Sequence, residues 1–117
     1  MIKIFTDKGD INIESDVFTT LAGAAATNCF GVKGMAMRSM TDGLVHLLKR
    51  EVMGKGVLVT YDEDNTISIE LHIVVEYGIN ITALTHSIIN EVRYKVENTT
   101  GITAKSVDVF IDSMIVE

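Results

Sequence analysis

The residues best suited to chemistry in this chain are the two glycines and the lysine of the stretch GVKG, residues 31–34. Phosphate-binding loops direct backbone amides at an anion from the N-terminus of a helix. Gly31 instead follows a predicted helix, whose C-terminal carbonyls carry partial negative charge. Gly34 is followed by Met-Ala-Met and not by the Lys-Ser/Thr of a Walker loop. We therefore interpret GVKG first as the end of a helix and the start of a strand.

Nucleic-acid binding is the alternative interpretation of GVKG. A KH domain clamps nucleotides with a GxxG loop between two helices, which would require a helix over MAMRSM, residues 35–40. The chain has a net charge of −6, but residues 33–55 hold five basic and two acidic residues, a local net charge of +3. The overall charge disfavours nucleic acid as a partner. The candidate contacts under this alternative are Lys33, Arg38, Lys49, Arg50 and Lys55.

Other residue types that support catalysis or metal binding lack the necessary spacing. His46, His72 and His86 are far apart in sequence and none pairs with Cys29 at a metal-ligand spacing, so we interpret them as surface histidines. Cys29 is the only cysteine, which rules out an internal disulfide, and no base is positioned to activate it. The stretch DEDNTISIE resembles a calcium loop, but Ile67 occupies the position that requires glycine. We expect no enzymatic activity, no cofactor, no metal and no small-molecule substrate.

Length and composition predict one folded domain over residues 1–117. Apolar residues make up 47% of the chain and charged residues 22%, as in ordinary globular domains. No stretch reaches the roughly 18 apolar residues that cross a bilayer, and the N-terminus has no apolar signal core. We therefore predict a cytoplasmic protein whose association with a membrane would be peripheral, through a partner.

Alternating side chains predict the strands. Residues 66–78 (TISIELHIVVEYG) place odd-numbered apolar residues from Ile67 to Tyr77 on one face, which is typical of a strand with one buried side. Residues 56–61 (GVLVTY) form a second strand, joined to the first by a turn at 62–65. Residues 9–13 (GDINI) and 106–116 (SVDVFIDSMIV) are predicted as further strands.

Apolar residues at intervals of three and four predict the helices. One helix follows Asn80, a plausible N-cap, and ends at Gly101. Another runs from its predicted cap Ser15 to about residue 28. A short third helix is predicted after Thr41, with the apolar stripe Leu44, Val45, Leu47, Leu48 and Val52. The fold class is α+β, a mixed β-sheet with two main helices packed on one face plus a short third helix.

The face of the sheet away from the helices is not uniformly polar. Strict alternation places an apolar strip there, made of Leu58, Val74, Phe110 and Met114. Contiguous exposed apolar surface usually marks an interaction site, so the strip predicts self-association or docking of a protein partner. Two alternatives remain open. A helix or the N-terminal segment MIKIF covers the strip, or the predicted register is wrong.

Four landmarks in order resemble the alkaline-shock-protein family of Gram-positive bacteria, also called envelope stress response proteins. They are GDINIESDVF before the first helix, AGAAATNCFGVKGMA after it, ISIELHIVVEYGINI at the hairpin and VENTTGITAKSVDVFI near the end. CFGVKGMA and DGLVHLLKRE are most similar to the YloU-like branch. The resemblance spans nearly the whole chain, and its strand–YG–helix–TG–strand block is its most specific part.

The resemblance implies a small non-enzymatic α+β domain with a role in cell-envelope homeostasis. Some members of this family oligomerise and are tethered to the membrane by a separate anchor protein. Members of the YloU-like branch are commonly encoded beside a fatty-acid kinase subunit, which suggests a link to fatty-acid metabolism. The family offers no catalytic motif to carry over to this chain. We therefore expect an interaction or scaffold domain, with a protein partner or a second copy as its ligand.

Overall fold

The computed structural model describes residues 1–38 and 44–116, with the backbone alone for residues 38, 50 and 51. Its elements, in chain order, are strands β1 (Ile2–Thr6) and β2 (Gly9–Ile13), helix α1 (Ser15–Thr27), strands β3 (Val32–Arg38) and β4 (Val45–Leu47), a 3-10 helix (Arg50–Gly56), strands β5 (Val57–Tyr61) and β6 (Ile67–Glu76), helix α2 (Ile81–Thr100) and strand β7 (Ala104–Ile115). The predicted α+β class with a mixed sheet is confirmed.

Strand β6 is the centre of the main sheet. Along one edge it pairs in parallel with β7 over its whole length. Along its other edge it pairs with β5 through residues 67–71 and with β3 through residues 73–75, both antiparallel. Strand β4 extends β3 outward, and β1 and β2 form a separate two-stranded hairpin. Since β6 has strand neighbours along both edges, its alternating side chains occupy the middle of both faces of the sheet.

The core lies between the sheet and the two helices. The odd-numbered residues of β6 are fully buried and pack with apolar residues of both helices, as the alternation predicts. The core-facing residues of α1 are Phe18, which is fully buried, and the small residues Ala22, Ala25 and Ala26. Those of α2 are Leu84, Ile88, Val92 and Val96. The same alternation predicts that Tyr77 faces the core, but β6 ends at Glu76 and the Tyr77 side chain is exposed.

The N-terminal segment MIKIF packs toward the helix side of the sheet. Ile2 is buried in the core cluster, and Ile4 packs against that cluster together with Ile13 of β2. From Ile2 onward this segment pairs with β2, in a register that runs from Ile2–Ile13 to Thr6–Gly9. The alternative that this segment covers the opposite face of the sheet is therefore wrong.

The prediction for residues 41–52 needs a correction. Thr41, the predicted cap, lies outside the described residues. Residues 45–47 form strand β4, which pairs with residues 36–38 of β3, and a 3-10 helix at Arg50–Gly56 follows in place of the predicted helix. A helical apolar stripe of this length does not stabilise a helix alone, whereas pairing with β3 satisfies the backbone of β4 directly.

The two α-helices begin differently. The Asn80 side chain accepts a hydrogen bond from the backbone amide of Ala83 at 3.0 Å, and Gly101 ends α2 in the left-handed conformation. Both predictions for α2 are confirmed. In α1 the N-cap position belongs to Glu14, whose side chain makes no capping hydrogen bond. The prediction of a Ser15 cap is wrong, because Ser15 is already the first residue of the helix and the N-cap position falls one residue earlier.

Replacing Asn80 should destabilise the fold more than replacing Ser15. We expect Asn80→Ala to lower the free energy of unfolding by about 1 kcal/mol, because a free amide of α2 loses its acceptor. Ser15→Ala serves as the control and should change it by less than about 0.5 kcal/mol. Urea unfolding followed by circular dichroism measures both, and equal losses would contradict the capping assignment.

Candidate interaction surface

The outer face of the sheet, meaning the face opposite the helices, carries the candidate site. It is formed by the even-numbered residues of β6 and by their neighbours in register on β5 and β7. Directly paired residues of neighbouring strands point to the same side of a sheet. Leu58 therefore lies beside Glu70, which lies beside Asp108, and Phe110 lies beside His72.

Two members of the predicted apolar strip are exposed on this outer face. Leu58 is 60% exposed and Phe110 is 44% exposed. They lie on opposite sides of β6, with Glu70 and His72 between them. The apolar strip is therefore discontinuous, and polar side chains occupy its middle.

Val74 does not belong to an exposed strip, because it is only 2% exposed. It lies on the outer face but has strand neighbours on both sides, Gly34 of β3 and Ser113 of β7. The Leu47 side chain folds over Gly34, since a Cβ added to Gly34 would lie 2.9 Å from Leu47 Cδ1. The prediction that Val74 is exposed is wrong because Val74 has strand neighbours on both sides and Leu47 of β4, a segment that the apolar spacing assigns to a helix, covers its neighbour Gly34.

Met114 is exposed but faces the other way. The register between β6 and β7 shifts after Ile73–Ile111, so that Val74 pairs with Ser113 and Val75 with Met114. Asp112 is the extra residue of this bulge. Because Val75 faces the core, Met114 lies on the helix side, and the prediction that it faces outward is wrong. A bulge reverses the alternation on which that prediction depended.

His72 is held between two carboxylates in the middle of the outer face. Its Nδ1 lies 2.9 Å from Asp112 Oδ2, and its Nε2 lies 2.7 Å from Glu70 Oε2. The imidazole also stacks on the Phe110 ring, with 4.9 Å between centroids and 12° between planes. We refer to His72, Glu70, Asp112 and Phe110 as the His72 cluster. It joins β6 to the bulged part of β7.

The His72 cluster favours the charged imidazole. Partial burial disfavours the imidazolium, but hydrogen bonds to Glu70 and Asp112 and the negative charges of both outweigh it, so that the pKa of His72 is raised above its usual value. With both ring nitrogens bonded to carboxylates, neither is free to ligate a metal. Within residues 1–38 and 44–116, no group of three histidine, cysteine or acidic side chains is arranged to hold a metal ion.

Cys29 lies beside α2 and is half-buried. Burial and then the negative charge of Glu91 raise the pKa of its thiol. Its sulfur lies 3.6 Å from the backbone oxygen of Ala25, within the helix that precedes it. Nucleophilic catalysis requires a thiolate, so this environment is unfavourable for it.

The GVKG stretch does not have the arrangement of a KH loop. Gly31 has a φ of +100° in the turn after α1 and leads directly into β3. The helix that a KH interpretation requires after GVKG is replaced by strand residues 32–38. Gly31 is the strand entry that the first interpretation predicted, but GVKG is not the end of the helix, because α1 ends at Thr27 and its C-cap is Asn28.

The five basic residues predicted as alternative nucleic-acid contacts are distributed over several elements. Lys33 lies in β3 and forms an ion pair with Glu76 at 3.6 Å. Lys49 and Lys55 are exposed, at the start and within the 3-10 helix. Arg38 ends β3 and Arg50 begins the 3-10 helix. In the described part of the chain, GVKG does not lie between two helices and so cannot organise these residues as a KH loop would.

Two features of the surface are not apparent from the sequence. The His72 cluster depends on the parallel register of β7, which alternation within one strand does not reveal, although alternation does place Glu70 and His72 on the polar side. The second feature is Phe30, which is 90% exposed in the turn after α1, at the edge of an open groove of about 590 Å³ beside α2. Phe30 and this groove lie on the helix side of the molecule.

These observations define a small α+β domain that presents an aromatic residue on an otherwise largely polar sheet face. A domain-family model matches residues 3–116 and describes the alkaline shock protein 23 family, with a cell envelope-related function. The chain belongs to this family. The resemblance to alkaline shock proteins noted in the sequence is thereby confirmed.

Two bacterial relatives match almost the whole chain. The chain is 34% identical to the uncharacterized protein YloU of Bacillus subtilis over 114 residues, covering 97% of this chain and 94% of the relative. It is 36% identical to the uncharacterized protein Spy1614 of Streptococcus pyogenes serotype M6, covering 97% and 93%. The chain thus aligns with nearly the full length of both relatives.

One solved structure shares the fold. A variant of the MamM CTD superposes with a TM-score of 0.50 at 15% sequence identity, covering 85% of this chain and 92% of that one. At this identity the likeness concerns the fold alone.

In the described part of the chain, neither α-helix combines the length and hydropathy needed to span a bilayer.

Proposed function

We propose that this domain is a non-catalytic interaction module of the cell envelope, which docks on a protein partner or a second copy through the outer face of its sheet. The exposed Phe110 ring carries the proposal. Aromatic side chains at the centre of a contact surface commonly dominate binding energy. Phe110 lies on β7 beside His72, and the polar members of the His72 cluster surround it, so an apolar anchor has polar groups around it.

The free edge of β7 supports the same proposal. Strand β7 has twelve residues, and β6 is its only strand neighbour among the described residues. An exposed edge offers backbone donors and acceptors to an added strand. Docking across this edge and the adjoining outer face would bury the roughly 1,000 Å² or more expected of a specific interface. In this proposal a protein partner brings the domain to the envelope.

Phe110→Asp should remove docking without unfolding the domain. Phe110 is partly exposed, so the fold tolerates aspartate there, whereas an interface must desolvate the new charge. We expect the dissociation constant to rise at least about 30-fold, which corresponds to a hot-spot loss of about 2 kcal/mol. Sedimentation velocity over a wide concentration range measures self-association. Cross-linking in the native host, with identification and reconstitution of the captured partner, measures docking.

Phe30→Asp is the matched control, because it makes the same substitution at an exposed phenylalanine on the helix side. It should leave docking within about twofold of wild type. If wild type is a monomer at every concentration and no reconstituted partner binds, the proposal fails. If both variants dissociate equally, docking does not involve the outer face.

A further inference from the structure

We infer that His72 is a proton-operated latch of the proposed docking surface, which is closed when the imidazole is charged and open when it is neutral. This inference rests on the proposed function, since it concerns regulation of the same surface. It makes docking depend on the protonation state of His72 as well as on the exposed Phe110 ring.

The geometry of the two ring nitrogens carries the inference. Each lies within hydrogen-bonding distance of a carboxylate oxygen, at 2.9 Å and 2.7 Å. An imidazolium donates from both nitrogens, whereas a neutral imidazole donates from one and is an acceptor at the other. A neutral His72 therefore retains one carboxylate and leaves an acceptor facing an acceptor at the other. One of the two contacts must open when the proton leaves.

Opening either contact changes the docking surface. Asp112 is the extra residue of the β7 bulge, and its carboxylate is largely buried, so a lost bond to His72 leaves it without a compensating charge. Glu70 is more exposed and gains access to water when its bond opens. Phe110 follows either change, because its ring stacks on His72. Proton loss thus loosens the anchor ring in either case, and it also loosens the bulge when the Asp112 contact is the one that opens.

The surrounding charges favour the closed form. The acidic groups that face His72 are Glu70 on β6 and Asp112 on β7. Asp108 of β7 lies next to Glu70, with which it is in register. The neighbour of Glu70 on β5 is Leu58, which carries no charge. At the far end of the outer face, beyond Val74, Lys33 of β3 is paired with Glu76 of β6. Loss of the His72 proton adds one net negative charge to a surface that is already acidic, and docking must then desolvate it.

The direction of the pH effect follows from the raised pKa of His72. A group whose pKa is higher in the folded protein stabilises it fully below the unfolded value, here the ordinary histidine value of 6.5. That contribution is lost as the pH rises through the higher value in the folded protein. Docking should weaken over the same pH range, because the neutral imidazole releases one carboxylate and loosens the Phe110 ring that stacks on it.

Titration of the full-length protein by NMR tests the latch. The His72 ring resonances should titrate above 6.5 in wild type and at lower pH in both Asp112→Asn and Glu70→Gln, since each variant removes one negative partner. The Phe110 ring resonances should shift with the same midpoint. Glu70 is the more exposed partner, so Glu70→Gln keeps the test valid if Asp112→Asn does not fold. A His72 midpoint at or below the ordinary 6.5, or one unchanged in both variants, would overturn the inference.

Docking measured on either side of that midpoint completes the test. Wild type should bind its reconstituted partner, or itself, severalfold more weakly above the midpoint, whereas His72→Gln should show no step there. If wild type and His72→Gln show the same pH dependence, the latch is refuted while docking through Phe110 stands. If Phe110→Asp docks like wild type, the proposed function fails instead, and the NMR titration remains interpretable.

Discussion

Leu71→Ala should cost the fold about 3 kcal/mol of unfolding free energy, within the roughly 2–5 kcal/mol range known for buried leucines. Leu71 is fully buried at the centre of β6 and belongs to the main core cluster. It is in register with Val57 on one side and Val109 on the other. Because regular strands hold these neighbours in place, the structure can close only part of the cavity. Urea unfolding at equilibrium measures the loss.

Leu58→Ala provides a control with identical chemistry. Leu58 lies on β5, next to Val57, but its side chain is on the outer face beside Glu70. Removing a largely exposed side chain changes stability by less than about 0.5 kcal/mol. Comparable losses for both variants would mean that the side of β6 assigned to the core is wrong. If only Leu71→Ala loses stability, Leu58→Ala remains folded and can be used in docking experiments.

Which face of β6 is buried was predictable, because the alternation of apolar and polar residues lies within one segment. Alternation from Ile67 to Val75 determines which side is buried, and the structure places these residues in the core. Helix α2 was predictable for the same reason, since its apolar spacing, its Asn80 cap and the terminal Gly101 are all local. Local patterns therefore determine the fold class and the orientation of the central strand.

The errors arose where a distant part of the chain decides the outcome. Residues 45–47 have apolar spacing compatible with a helix, but they pair with strand β3 and so become part of the sheet. The bulge at Asp112 reverses the direction of Met114, and a bulge is visible only once β6 and β7 are paired. The packing beside Val74 likewise depends on β4. None of these contacts is encoded in the spacing of the residues concerned.

The candidate site shows the same division. Exposure of Leu58 and Phe110 was predictable, since Leu58 lies in a strand without a bulge and Phe110 precedes the bulge of β7. The bond between His72 and Asp112 was not, because the two residues are forty positions apart in sequence and meet through a parallel pairing. A parallel neighbour is fixed by the connecting helix and its loops, so its register has no local signature.

Gly56→Ala should lower the free energy of unfolding by about 1–3 kcal/mol, the usual cost of an extra methyl group in a closely packed site. A Cβ at this position would lie 2.9 Å from the backbone oxygen of Ala36 and 3.0 Å from Met35 Cβ. Gly56 joins the 3-10 helix to β5, so relief requires moving β3 away from that junction. The lower unfolded-state entropy of alanine, about 0.4–1 kcal/mol, offsets only part of this cost. Thermal and urea unfolding both measure the change.

Gly34→Ala is the matched control and also tests the meaning of GVKG. Its added Cβ would also meet an atom at 2.9 Å, but that atom is Leu47 Cδ1, the end of a half-exposed side chain. A rotamer change relieves this contact, and alanine costs less than glycine inside a strand by about 0.5–1 kcal/mol. We therefore expect Gly34→Ala to change stability by less than about 1 kcal/mol. A loss as large as that of Gly56→Ala would show that the backbone near Gly34 cannot accommodate a side chain, so that this glycine is required by the fold.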